Sequence, residues 1–168
     1  MTDLNENSIT VKEIIDENFQ DYKKAAMFIS AAKCDFKCLK EQNLDCGLCQ
    51  NSRTTDKPDV KISFEKIFKR YKNNLITSAV VIGGLEPFLQ FEEVFGLIKY
   101  FRNQACSDDF VIYTGYRPEE VGEKIKKLKD FENIIIKFGR FIPDSTEKFD
   151  EILGVTLCSE NQYGEKIS

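Results

Sequence analysis

The apolar positions change period several times along the chain, and each change predicts an element. Val11, Ile14, Ile15 and Tyr22 recur at helical spacing and predict a short amphipathic helix over residues 11–22, preceded by a polar, flexible segment at residues 1–10. Met27–Ser30 is a short apolar run that reads as a first strand and delivers the chain into a cysteine-rich loop. Residues 51–61 are polar, and Pro58 discourages a helix in the residues before it. Phe64, Ile67 and Phe68 then make the apolar face of a helix predicted over residues 63–71. Ser78–Ile82 has no polar alternation, the pattern of a strand buried on both faces of a parallel sheet and flanked by crossover helices.

The next helix is predicted over Phe91–Arg102, where Val94, Leu97, Ile98 and Phe101 share a face; acids open it and Lys99 and Arg102 close it, as the macrodipole favours. Phe110–Tyr113 reads as a third strand. Pro118 opens another helix, with Glu119 and Glu120 at its start and Lys126, Lys127 and Lys129 at its end. Ile134–Ile136 and Ile152–Leu157 read as the fourth and fifth strands before a polar tail. This alternation predicts an α/β fold, one domain over residues 11–168, built on a mainly parallel sheet of about five strands with crossover helices. Ligands of such sheets sit beyond the carboxyl ends of the strands. The loops expected to converge there are Cys34–Cys49, Gly83-Gly84-Leu85-Glu86-Pro87, Thr114-Gly115-Tyr116 and Phe138-Gly139-Arg140.

Composition narrows the function classes. With 168 residues and 42% apolar content the chain can close one substantial core. A formal charge of -4 without an arginine-rich face argues against nucleic-acid binding. No apolar run approaches the roughly 18–20 residues that cross a bilayer, and the amino terminus is polar and acidic, unlike a signal peptide. A cytoplasmic protein without a membrane partner is therefore expected. A reducing cytosol keeps thiols free, which changes the meaning of the six cysteines. Cys34, Cys38, Cys46 and Cys49 crowd one loop, and the chain has no histidine to share their work. Cys106 and Cys158 stand apart and read as small buried apolar residues.

The four clustered cysteines form two close pairs, CxxxC and CxxC. Four thiolates on one ion would make a structural zinc site, and the protein a non-catalytic interaction module. Three thiolates would instead leave one iron of a four-iron cluster without a protein ligand, free to chelate a small molecule. Spacing alone leaves both open.

Taken together, Cys34-Asp-Phe-Lys-Cys38, Gly-Leu-Cys49-Gln-Asn51, GGLEP, the YTGY at residues 113–116 and the FGRF at residues 138–141 resemble the motifs of small radical S-adenosylmethionine proteins. The activating proteins of anaerobic ribonucleotide reductase are the most similar group, and the resemblance runs over residues 27–163. It implies a partial, open β/α barrel carrying a [4Fe-4S] cluster on three cysteines spaced CxxxCxxC. It also implies S-adenosyl-L-methionine chelated to the fourth iron and cleaved reductively to a 5'-deoxyadenosyl radical. The implied partners are a glycyl-radical enzyme and an electron donor such as flavodoxin or ferredoxin.

Carried onto this chain, the resemblance assigns Cys34 and Cys38 as the first two ligands. The loop is longer than the family's, which leaves two candidates for the third; Cys49 is favoured because Asn51 follows it, as an asparagine commonly follows the family's last ligand, with Cys46 as the alternative. Leu48 stands where an aromatic residue is frequent. Gly83 and Gly84 would let the backbone approach the methionine end of the cofactor. Leu85 interrupts the family's GGEP, and Glu86 would either contact the cofactor's amino group or cap the next helix. Tyr113 would face the cofactor, and Phe138 replaces a common aspartate. Ser159-Glu160-Asn161-Gln162 resembles the family's SSNQ tail, or else is a frayed polar end. No side chain is assigned a catalytic role, and the departures leave room for a cluster-binding relative that does not cleave the cofactor.

Overall fold

The computed structural model describes residues 7–168. Seven strands form one mixed sheet in the order β3-β1-β2-β4-β5-β6-β9. Its centre is parallel: β2 (Ala26–Ala31), β4 (Ala79–Gly83), β5 (Asp109–Tyr113) and β6 (Ile134–Phe138) lie side by side in chain order. These are the four strands that the apolar runs predicted. Three helices accompany them: α2 (Phe64–Asn73), α3 (Phe91–Asn103) and α4 (Gly122–Leu128), after a single turn, α1 (Lys37–Lys40). The helix expected from Pro118 is divided, because Pro118–Glu120 forms a 3-10 turn before α4 begins.

The predicted helix over residues 11–22 is instead β1 (Ser8–Asn18), antiparallel to both β2 and β3 (Val60–Ser63). Ile9 and Val11 point into the core at period 2, then a register shift between Val11 and Glu13 puts Ile14 back on the core side. A bulge adds one residue to the period, so a strand imitates helical spacing. The β-branched content of Ile9, Thr10, Val11, Ile14 and Ile15 favours the strand. Ser8–Thr10 are therefore ordered in β1, contrary to the flexible segment expected over residues 1–10; residues 1–6 of that segment lie outside the described residues.

The predicted fifth parallel strand is also replaced. Val155–Leu157 forms β8, which pairs with β7 (Lys148–Asp150) in a separate two-stranded hairpin. The position beside β6 is taken by β9 (Tyr163–Lys166), running antiparallel with Phe138 opposite Tyr163. An edge strand needs few apolar residues, so the polar tail carried no hydropathy signal for it. The sheet is thus mixed, four parallel strands edged by antiparallel ones.

Because the four parallel strands advance in one direction, right-handed crossovers put every connecting helix on the same face. Met27, Ile29, Val80, Ile82, Phe110, Ile112, Ile134 and Ile136 face Phe64, Ile67, Leu97, Ile98 and Phe101 there and form the main core. The opposite face, with Ala26, Ala79, Val81, Val111 and Ile135, is covered by Tyr22, Leu153 and Leu157. The short hairpin and its flanking turns, rather than helices, supply that cover. Among the described residues no helix is long and apolar enough to cross a membrane.

Candidate metal centre

The cysteine loop leaves the carboxyl end of β2 and turns sharply at Phe36, whose φ of 54° lies in the left-handed region. Asp35 accepts the Lys37 N–H at 3.1 Å, and the buried Leu39 anchors α1 to the protein. Cys34 and Cys38 therefore sit on either side of a fixed turn. Further on, Asp45 caps a 3-10 turn over Cys46–Leu48 by accepting the Gly47 N–H at 2.6 Å, and Cys49 follows in extended backbone. The thiol sulfur of Cys34 accepts the Phe36 N–H at 3.3 Å, and that of Cys49 accepts the Asn51 N–H at 3.4 Å. Hydrogen bonds of this kind stabilise sulfur that carries negative charge.

Cys34, Cys38 and Cys49 line one cavity of about 110 Å³, whose wall also carries Asn51, Gly84, Glu86 and Tyr113. Cys46 is not in that wall. Gly83 is not either: it ends β4, and a Cβ there would meet Tyr113 Cβ at 3.0 Å, so its lack of a side chain serves strand packing. Gly84 does line the cavity, with φ of +73° and room for no side chain, since a Cβ would lie 2.5 Å from Ser30 Oγ. Among the described residues no group of three or more His, Cys, Asp or Glu side chains is arranged to hold a single metal ion. The three thiols stand around a space instead.

Burial pushes the Cys34 thiol up to about 12, with Glu86, Asp35 and Cys49 adding to the rise and the Phe36 N–H opposing it. Burial also raises Cys38, against the Phe141 N–H and the nearby charges of Lys137 and Arg140. Such thiols keep their protons until a metal displaces them. Gly115 closes in on Cys38: a Cβ at that position would stand 2.5 Å from Cys38 Sγ.

Glu86 joins the loops after β4 and β5. Its carboxylate accepts the Phe88 N–H at 3.0 Å, the Thr114 hydroxyl at 2.8 Å and the Gly115 N–H at 2.9 Å. Burial raises its pKa while these donors pull it down. It thus caps the turn at Pro87–Gln90, one of its two expected roles, while its side chain also borders the cavity. The Tyr113 hydroxyl donates to the Asp21 carbonyl at 2.5 Å, and the residue lines the cavity.

Arg140, in the FGRF turn, ties the whole arrangement together. Its guanidinium donates to both Glu41 oxygens at 2.9 Å, to Glu120 at 2.6 Å and to the Gly115 carbonyl. Lys37 pairs with the same Glu120 oxygen at 2.6 Å. Arg140 above all holds the Glu120 carboxyl down at about 2. The network lashes α1, which carries Cys38, to the loops after β5 and β6. At the tail, Ser159 and Gln162 are buried rather than frayed: Ser159 Oγ accepts the Ile142 N–H at 2.8 Å, and Gln162 donates to the Gly139 carbonyl at 3.4 Å. Cys106 is buried as expected, but Cys158 is half-buried, its thiol donating to Gln50 at 3.4 Å.

Sequence reasoning missed Lys137. It is 7% exposed, lines the same cavity, and burial brings its pKa down to about 8 against the charges of Cys38, Glu86 and Cys158. Its signal was a lysine within the apolar run Ile134-Ile-Ile-Lys-Phe138, where an uninterrupted strand would have served the sheet.

No curated protein and no solved structure matches the chain. The sequence pattern described as "4Fe-4S single cluster domain" matches residues 23–162. That span runs from before β2 to the start of β9 and contains every residue of the cavity just described. Half-buried cysteines grouped about one cavity have the soft donor set that iron-sulfur clusters take, and the chain belongs to the 4Fe-4S single cluster domain family.

Proposed function

We propose that this chain is a radical S-adenosylmethionine protein that activates a glycyl-radical enzyme. The observation that carries the reading is the convergence of Cys34, Cys38 and Cys49, without Cys46, on one cavity bordered by Gly84 and Glu86. Its family is that of radical S-adenosylmethionine activase-like proteins, which supports the same reading. The one-sided helices over parallel strands in sequential order are in keeping with a partial, open β/α barrel.

In this reading Cys34, Cys38 and Cys49 hold a [4Fe-4S] cluster, and Asn51, Gly83, Gly84, Glu86 and Tyr113 belong to the S-adenosyl-L-methionine site. When bound and supplied with one electron, the pair provides reductive cleavage of a carbon-sulfur bond to a 5'-deoxyadenosyl radical. The chain's own residues orient and enclose. Gly84 brings bare backbone to the cavity, Glu86 would offer a carboxylate edge to a cationic amino group, and Tyr113 forms part of the lining. Gly83 acts indirectly, by letting β4 pack against Tyr113. The Arg140 network holds Cys38 in register with the loops that would receive the cofactor.

A glycyl-radical enzyme such as anaerobic ribonucleotide reductase would then donate the hydrogen atom, and a flavodoxin or ferredoxin the electron. The test is anaerobic iron-sulfur reconstitution followed by one-electron reduction with S-adenosyl-L-methionine. Formation of 5'-deoxyadenosine is expected, and its absence from protein with a full cluster would sink the proposal. Cys49→Ala should lose the cluster and Cys46→Ala retain it; the reverse pattern would transfer the third ligand to Cys46.

A further inference from the structure

Lys137 is the one cation of the cysteine cavity, among the described residues, that no carboxylate neutralises. Lys37 and Arg140 also line it, but Glu120 pairs with both and Glu41 with Arg140. Among the described residues the Lys137 ammonium has no hydrogen bond or ion pair; it lies over the Tyr113 ring, 5.4 Å from the centroid. It also borders a second cavity of about 340 Å³, which shares Asn51, Gly84 and Tyr113 with the first. A buried ammonium is costly unless a negative group compensates it. The neighbouring acidic groups are the Cys38 and Cys158 thiols and the Glu86 carboxyl, and Glu86 is already held by three donors.

A four-iron cluster held by three thiolates is anionic when oxidised and gains a further negative charge when a one-electron donor reduces it. A fixed buried cation beside it favours the reduced state, because low dielectric strengthens the attraction and solvent does not screen it. We propose that Lys137 is the built-in counter-cation of the cluster and raises its reduction potential. The inference rests on the three-cysteine reading of the site, but not on cofactor cleavage. Lys137 acts through space, as a positioning charge rather than a catalytic residue.

The test is an anaerobic potentiometric titration of the reconstituted protein, with dithionite as reductant and low-potential dyes as mediators. The reduced cluster is followed by electron paramagnetic resonance. Lys137→Met, neutral and of similar length, should shift the midpoint to more negative potential at unchanged iron content, while Lys137→Arg should stay near wild type. Should Lys137→Met fail to hold iron, Lys137→Gln carries the same expectation with a polar replacement. A neutral variant with full iron and an unchanged midpoint overturns the inference alone. A wild-type chain that assembles no four-iron cluster overturns the ligand reading together with it.

Discussion

Gly115 is the residue on which the candidate site is most narrowly balanced. Its missing side chain leaves room for the Cys38 sulfur, which a Cβ would approach to 2.5 Å. Gly115→Ala should therefore keep the fold yet lose most of its iron after reconstitution, measured by iron content against far-ultraviolet circular dichroism. Gly84 carries a different constraint, a positive φ, together with the close approach of Ser30 Oγ. Gly84→Ala should lower unfolding stability by about 1–2 kcal/mol from the backbone alone, read in a denaturant titration. Both glycines stood in motifs visible in the sequence, but their reasons differ. One spares a thiol and the other a backbone angle, and a string of letters does not distinguish them.

At the scale of elements, one guanidinium joins three of them. Arg140, at the end of β6, reaches Glu41 after α1 and Glu120 in the turn before α4. Removing such a buried, charge-assisted donor costs about 2 kcal/mol, so Arg140→Met should unfold at lower denaturant concentration and shed its cluster faster. The sign of its pH dependence follows from Glu120, whose carboxyl is held at about 2 against an ordinary 4.5. A depressed acid contributes stability that is complete above its unfolded pKa and is lost as pH falls through the folded one. Wild type should thus lose stability between about pH 4.5 and about pH 2 more steeply than Arg140→Met, as acid titrations of thermal unfolding would record. Equal slopes would mean that the pair contributes nothing to folding. Helix α2 gives a plainer case: Ser63 Oγ accepts the Lys66 N–H at 3.3 Å, and Ser63→Ala should cost about 1 kcal/mol.

For the molecule as a whole, the fold partly buries the thiols that it gathers. Cys34 is raised to about 12 and Cys38 is raised as well, so both are protonated at neutral pH, and a metal must displace those protons. Iron loading of the apo-protein should therefore rise between about pH 6.5 and about pH 9, measured as iron bound per chain at equilibrium. A flat profile would mean that the ligand thiols are already ionised in the apo-protein. The four parallel strands and the helices α2 and α3 were legible in the sequence because unbroken apolar runs and a 3.6-residue period each answer to a local rule. The cysteine loop and GGLEP were legible as chemistry for the same reason, since residue type and spacing suffice to suggest thiolate ligands beside a backbone without side chains. Strand β1 was not legible, because its bulge shifts an alternating pattern into helical spacing. Nor was β9, because an edge strand can be polar. Lys137 and Arg140 acquire their meaning only when β6, α1 and the loop after β5 meet; charge pairing across 99 residues, as between Glu41 and Arg140, leaves no mark on local pattern. Local chemistry thus determined the four parallel strands, the main helices and the kind of ligand, whereas tertiary packing decided the antiparallel edges, which thiols share a cavity and which cation faces them. Distances through space, not along the chain, set both.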